Sequence, residues 1–138
     1  MGDFKFFCEA RVRFCETDLQ GILHHSKYLE YFEVGRVEYI RKLGLIENND
    51  FAGPATITIV ETKTTYMKPL RFDDPLRIYV RVSEMRGARM NYEYKIVNPK
   101  SDDVIATGYT MCATVDRKKF RPVRIPAIWK EKISLFEK

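Results

Sequence analysis

The sequence predicts an α+β domain in which a five-stranded antiparallel sheet wraps around one long central helix. Three observations predict it. One segment, from about Ser26 to Leu43, repeats its apolar residues at helical spacing, whereas the segments before and after it alternate with a period of two. The segments after the helix are joined by short turns, which implies antiparallel neighbours, because parallel strands need long crossovers. The order is strand, helix, then four strands, and this differs from the alternating order of a parallel α/β sheet.

Phe4 to Phe14 reads as the first strand: Phe4, Phe6, Cys8, Ala10, Val12 and Phe14 share one parity, with Lys5, Glu9, Arg11 and Arg13 on the other. Glu16-Thr17-Asp18-Leu19-Gln20-Gly21 follows as a polar turn. In the helix, Leu29, Phe32, Gly35 or Arg36, Ile40 and Leu43 recur, and Tyr28, Tyr31, Val34, Val37 and Tyr39 widen the band, which predicts burial on more than one side. Ser26 is the expected N-cap and Gly44 the expected stop, with Glu38 and Lys42 as an i,i+4 pair. Thr56 to Met67 is rich in β-formers and ends before Pro69. Leu76, Ile78, Val80 and Val82 alternate with polar residues, as do Met90, Tyr92, Tyr94 and Ile96. Arg86-Gly87-Ala88-Arg89 is the reversal between them, Asn98 to Asp103 is the next turn, and Val104 to Val115 is the last strand. Pro122 and Pro126 break the tail before a short helix over Ala127 to Phe136.

The chain has 138 residues, 45% of them hydrophobic and 31% charged, which argues for a single globular domain over residues 1–138 and against disorder or a coiled coil. No run reaches the roughly 18 apolar residues of a membrane span, and the N-terminal residues do not read as a secretory leader. The three cysteines lack metal-type spacing and read as thiols of a reducing cytoplasm. The net charge of +5 suits nucleic acid, an anionic membrane or a phosphate-bearing small molecule. The basic residues form no long block, and nucleic acid has support from charge alone.

Chemistry concentrates between Thr17 and Tyr28. Asp18 lies in the turn before the helix, Gly21 lets the chain bend, and His24 and His25 stand at the approach to the helix N-terminus. The first N–H groups of a helix lack intrahelical partners and favour negative charge. A developing oxyanion held there, beside a carboxylate that attacks an acyl carbon or activates a water, would suit acyl chemistry. An Asp followed by Gly is also ordinary turn chemistry. Adjacent histidines without a third spaced ligand do not read as a metal site, and neither a phosphate loop nor a Gly-x-Ser-x-Gly elbow is present.

Asp18-x-x-Gly21-x-x-x-His25-x-x-Tyr28, preceded by Arg11 to Thr17, resembles the signature of hotdog-fold acyl-CoA thioesterases. The branch it is most similar to holds 4-hydroxybenzoyl-CoA thioesterase and the short-chain, YbgC-like thioesterases associated with the Tol–Pal system. Tyr28 to Arg36 continues the match, and Tyr66-x-x-Pro69-Leu70-Arg71-Phe72-Asp73-Asp74-Pro75-Leu76 extends it, so that it covers roughly Phe6 to Val115.

The resemblance implies a five-stranded sheet around one helix, a homodimer or homotetramer with sites at the subunit interface, and hydrolysis of an acyl-CoA without metal or cofactor, coenzyme A being part of the substrate. Asp18 matches the catalytic carboxylate as nucleophile or general base. His25 matches the position whose backbone N–H polarises the thioester carbonyl, its side chain being implicated as well, and Gly21 matches the loop glycine. Relatives often carry Tyr where this chain has Phe14, a ring that cannot donate a hydrogen bond. Arg86 and Arg89, and after them Lys118 and Lys119, are candidates for the phosphates of coenzyme A.

The expected function is therefore a cytoplasmic thioesterase acting on a short-chain or aromatic acyl-CoA. A non-catalytic module binding acyl-CoA or acyl carrier protein is the alternative, and a dehydratase would need a His-plus-carboxylate pattern not found here.

Overall fold

A computed structural model describes residues 4–48, 50–51 and 53–138. Met1, Gly2 and Asp3, at the start of the stretch read above for a leader, lie outside the described residues. The elements run β1 (Phe6–Arg11), a 3₁₀ turn (Phe14–Glu16), α1 (Lys27–Lys42), β2 (Ile46–Glu47), β3 (Asp50–Phe51), β4 (Ala55–Tyr66), β5 (Pro75–Arg86), β6 (Arg89–Asn98), β7 (Asp103–Asp116) and α2 (Ala127–Glu137). The main sheet has five strands in the order β1-β5-β6-β7-β4, each pair antiparallel, and β2 with β3 forms a separate two-stranded ladder. This is the expected α+β sheet.

One row of partners crosses the whole sheet: Cys8, Ile78, Ile96, Ala106 and Tyr66. A second row, Met85, Met90, Cys112 and Ile59, crosses its other end. Alternation decides which residues face inward: Leu76, Ile78, Val80 and Val82 of β5 are buried, as are Met90, Tyr92, Tyr94 and Ile96 of β6. α1 lies against that face. A Cβ on Gly35 would come within 2.7 Å of Ile78 Cγ2 and 2.8 Å of Val80 Cγ2, so only glycine lets the helix backbone approach β5 this closely. Phe32 stacks on Tyr94 with ring centroids 4.3 Å apart.

The helical arrangement differs from expectation. α1 buries one stripe, Tyr28, Tyr31, Phe32, Gly35, Tyr39 and Ile40, and leaves Leu29 and Val34 exposed. Its apolar band is therefore not covered on all sides, and a second helix of 11 residues, α2, shares the core with it. α2 buries Trp129 and Ile133, sets Phe136 edge-on to Tyr39 at 5.7 Å, and its Glu137 accepts a hydrogen bond from the Tyr39 hydroxyl at 2.6 Å. α2 falls where the short terminal helix over Ala127 to Phe136 was expected, so the long helix α1 shares the core with it rather than filling it alone.

Smaller departures have local causes. β1 stops at Arg11 because the Glu16 carboxylate accepts the Arg13 N–H at 2.8 Å and turns the chain out of line. Ser26 does not cap α1: its φ and ψ are already helical, and its hydroxyl meets His24 Nδ1 at 2.8 Å instead. Glu38 pairs with Arg41 at 3.1 Å rather than with Lys42.

Candidate active site

The segment between β1 and α1 folds into a small hairpin. Thr17 and Leu23 form its bridge, the Asp18 N–H donates to Ile22 O at 2.9 Å, and the His24 N–H donates to Glu16 O at 2.9 Å. Gly21, at φ +78°, closes the tip by donating its N–H to Asp18 O at 2.9 Å, a conformation that strains residues with a Cβ. The hairpin is seated on the β4–β5 connection, where the Leu23 N–H donates to Leu70 O at 2.7 Å.

Asp18 is half-buried and one of its carboxylate oxygens is fixed. Oδ1 accepts N–H groups from Gln20 at 2.8 Å and Ile22 at 3.4 Å. Among the described residues nothing bonds Oδ2. Such a carboxylate is held in orientation while keeping one oxygen for a reacting group. Asp18 and His25 line one groove of about 450 Å³ together with Tyr28, Tyr66, Met67 and Lys68.

The N–H groups at the start of α1 can be accounted for one by one. His24 donates to Glu16 O, Ser26 to His24 Nδ1 at 3.2 Å, Lys27 to His24 O at 2.9 Å and Tyr28 to His25 O at 3.4 Å. The His25 N–H takes no acceptor among the described residues. It is the spare donor of the helix entrance, at the wall of the groove that Asp18 shares. The His25 carbonyl accepts the Tyr66 hydroxyl at 3.0 Å, and the His25 ring lies on that of His24 at 4.2 Å.

Two phenols thus belong to the groove that the reading of the sequence left without a role. Tyr66 comes from the last residue of β4, and Tyr28, on the first turn of α1, meets it edge-on at 5.0 Å. Burial, with the Tyr66 phenol second, pushes the Tyr28 hydroxyl up to about 12, so it stays protonated at neutral pH. Both residues stand in the quoted motif, and that was the available signal. Phe14 is 74% exposed and packs edge-on against Phe72 at 5.5 Å, so it does not line the groove.

Glu16 was read as part of a polar turn, yet it is 5% exposed. Its carboxylate accepts the Tyr31 hydroxyl, the Arg13 N–H at 2.8 Å, and the Arg13 side chain at 3.1 and 3.2 Å. Burial alone would raise this carboxyl, but the bonds from Tyr31 and Arg13 prevail and hold it below its ordinary value.

The basic candidates lie elsewhere in the chain. Arg86 and Arg89 are exposed at the β5–β6 reversal, bordering a separate hollow of about 420 Å³, and Lys118 and Lys119 are exposed just after β7. Arg89 pairs with Ala113 and Tyr66 with Ala106, so about 24 Å of β7 separates the two ends at roughly 3.4 Å per residue. Within one chain these cations are not brought to Asp18.

Fold and groove together define a thioesterase-type domain, and comparison with known proteins agrees. The profile of the thioesterase-like superfamily matches residues 12–133, and the chain belongs to that family. Acyl-CoA thioesterase YbgC of Haemophilus influenzae is 29% identical over 91% of this chain and 92% of its own. Acyl-acyl carrier protein thioesterase ATL3 of Arabidopsis thaliana is 27% identical over 93% of this chain and 67% of its own. The crystal structure of a DHNA-CoA thioesterase from Staphylococcus aureus superposes with a TM-score of 0.83 at 26% identity, covering 94% of this chain and 88% of that one. The likeness to YbgC-type thioesterases read from the motif is thus shown along most of the chain, and the protein is a thioester hydrolase by family. Among the described residues no helix is long and apolar enough to cross a membrane.

Proposed function

We propose that the protein hydrolyses the thioester of a short-chain or aromatic acyl-CoA, with Asp18 as the catalytic carboxylate and the His25 N–H as the oxyanion donor. The observation that carries this reading is the pairing, in one groove, of a carboxylate with a free Oδ2 and a helix-entrance N–H with no acceptor. A thioester carbonyl seated with its oxygen on the His25 N–H is polarised, and the negative charge it gains in the tetrahedral state is stabilised there by about 2.7–4 kcal/mol if the donor is well aligned. Asp18 Oδ2 either takes a proton from an attacking water or attacks the carbonyl carbon itself. In the first course the carbon–sulfur bond breaks as the tetrahedral state collapses, and the proton passes to the leaving sulfur. In the second a mixed anhydride forms, coenzyme A leaves, and water hydrolyses the anhydride. No metal or cofactor enters either course.

A second copy of the chain completes the proposal. β4 is a 12-residue edge strand with Ile59 at 46% and Val60 at 53% exposure, a form that invites pairing. Antiparallel joining of two β4 edges turns the Arg86–Arg89 and Lys118–Lys119 end of one copy toward the Asp18 end of the other. The basic residues then become candidates for coenzyme A phosphates across the subunit interface of a homodimer or homotetramer. Free thiols at Cys8, Cys15 and Cys112 suit the cytoplasm.

Thiol release from a panel of short-chain, long-chain and aromatic acyl-CoA esters, with acyl carrier protein esters beside them, tests the reading. Turnover of a short-chain or aromatic CoA ester supports it. Tight binding with no release identifies a binding module, and release from carrier protein alone moves the activity to the carrier. Labelled water in a single turnover separates the two courses: label entering Asp18 means an anhydride.

A further inference from the structure

The hairpin that carries Asp18 is gripped at its base by a group outside the groove. Glu16 is the one buried acidic side chain among the described residues. It reaches the chain just past β1 through the Arg13 N–H, α1 through the Tyr31 hydroxyl, and the helix entrance through its own carbonyl, which accepts the His24 N–H at 2.9 Å. Two residues on is Asp18; one residue past His24 is the spare N–H of His25. We propose that Glu16, held by Tyr31, is a positioning residue that fixes the Asp18 carboxylate relative to the His25 N–H. This inference rests on the hydrolase reading above.

The physical reason is the number of attachments. The hairpin tip is closed by its own short bonds, which fix its shape and not its place. Leu70 O supports it from the sheet side through the Leu23 N–H. On the helix side, the side-chain link between hairpin base and α1 runs through Glu16 and Tyr31, fifteen residues apart in sequence. Displacement of a catalytic group by about 1 Å costs on the order of a hundredfold in rate. Loosening this link therefore moves Asp18 without touching substrate.

Two variants test it, Glu16→Gln and Tyr31→Phe. Each is compared with wild type in steady-state hydrolysis of the acyl-CoA ester that turns over fastest, and thermal unfolding and amide exchange at His24 are recorded on the same samples. The expected result is a kcat lower by about tenfold to a hundredfold, with KM within about threefold, in protein that is still folded. Exchange at His24 accelerates, and Glu16→Gln has no further effect once Asp18 is Asn. Wild-type kcat in a folded variant overturns the proposal, as does a loss of rate that merely matches the loss of folded protein. Tyr31→Phe removes one oxygen and decides the matter should Glu16→Gln not fold. If wild type turns over no ester, the hydrolase reading has failed. Exchange at His24 then decides whether the anchor exists: acceleration supports it and unchanged exchange overturns it.

Discussion

The Tyr66 hydroxyl donates to the His25 carbonyl at 3.0 Å, so the last residue of an edge strand holds the entrance of the first helix. The bond fixes the peptide next to the proposed oxyanion donor. Tyr66→Phe keeps the ring that packs on Tyr28 and loses only this bond. A net loss of about 0.5–1.5 kcal/mol from the transition state lowers kcat roughly threefold to tenfold, with little change in melting temperature. Steady-state kinetics and a thermal melt check both halves.

The Gly35 contact predicts a stability effect far from the groove. Gly35→Ala adds a methyl 2.7 Å from Ile78 Cγ2, and the helix must lift from β5. The expected cost is about 1–3 kcal/mol, larger than the gain in helix propensity. Urea unfolding measures it, and a stabilised variant would show that the approach of α1 to β5 is looser than described.

Glu16 and Tyr31 predict a pH window. The Glu16 carboxyl is held below its ordinary 4.5, so its contribution is whole above that value and is lost as pH falls through the lowered one. Burial and the bond to Glu16 hold the Tyr31 hydroxyl above its ordinary 10, so its contribution is whole below 10 and is lost as pH rises through the raised value. Tyr31→Phe removes the bond to a buried charge and costs about 1.5–3 kcal/mol between these limits. Melting temperatures from pH 3 to 11 check it: the gap between wild type and variant narrows at both extremes.

The proposed joining of β4 edges predicts that Ile59→Asp yields monomers, because a charge on an exposed edge opposes strand pairing. Sedimentation velocity reads the state. A wild-type monomer at micromolar concentration would contradict the joining and return the far-end arginines to solvent.

What the sequence made legible was local. Parity at Leu76 to Val82 and at Met90 to Ile96 gave two strands and their inward faces, because burial on one face imposes a period of two. Asp18, Gly21 and His25 stood out because turn, carboxylate and helix entrance fall within eight residues. Glu16 was not legible: its burial depends on Tyr31, one helix turn past the entrance, and a lone Glu in a turn gives no sign of it. Ser26 looked like a cap, since nothing in sequence reports that His24 competes for its hydroxyl. The remoteness of Arg86 and Arg89 from Asp18 emerges only from the strand order, which puts the β5–β6 reversal at the opposite end from Tyr66.

Replacement of Asp18 by Asn tests the central claim most directly. Asn keeps the shape and an oxygen for the Gln20 and Ile22 N–H groups, and removes the charge and basicity of the carboxylate. Measured by thiol release on the best acyl-CoA ester, with folding verified by circular dichroism, the variant is expected to lose about a hundredfold to ten-thousandfold in kcat. A folded Asp18→Asn protein that releases thiol at the wild-type rate would contradict the account.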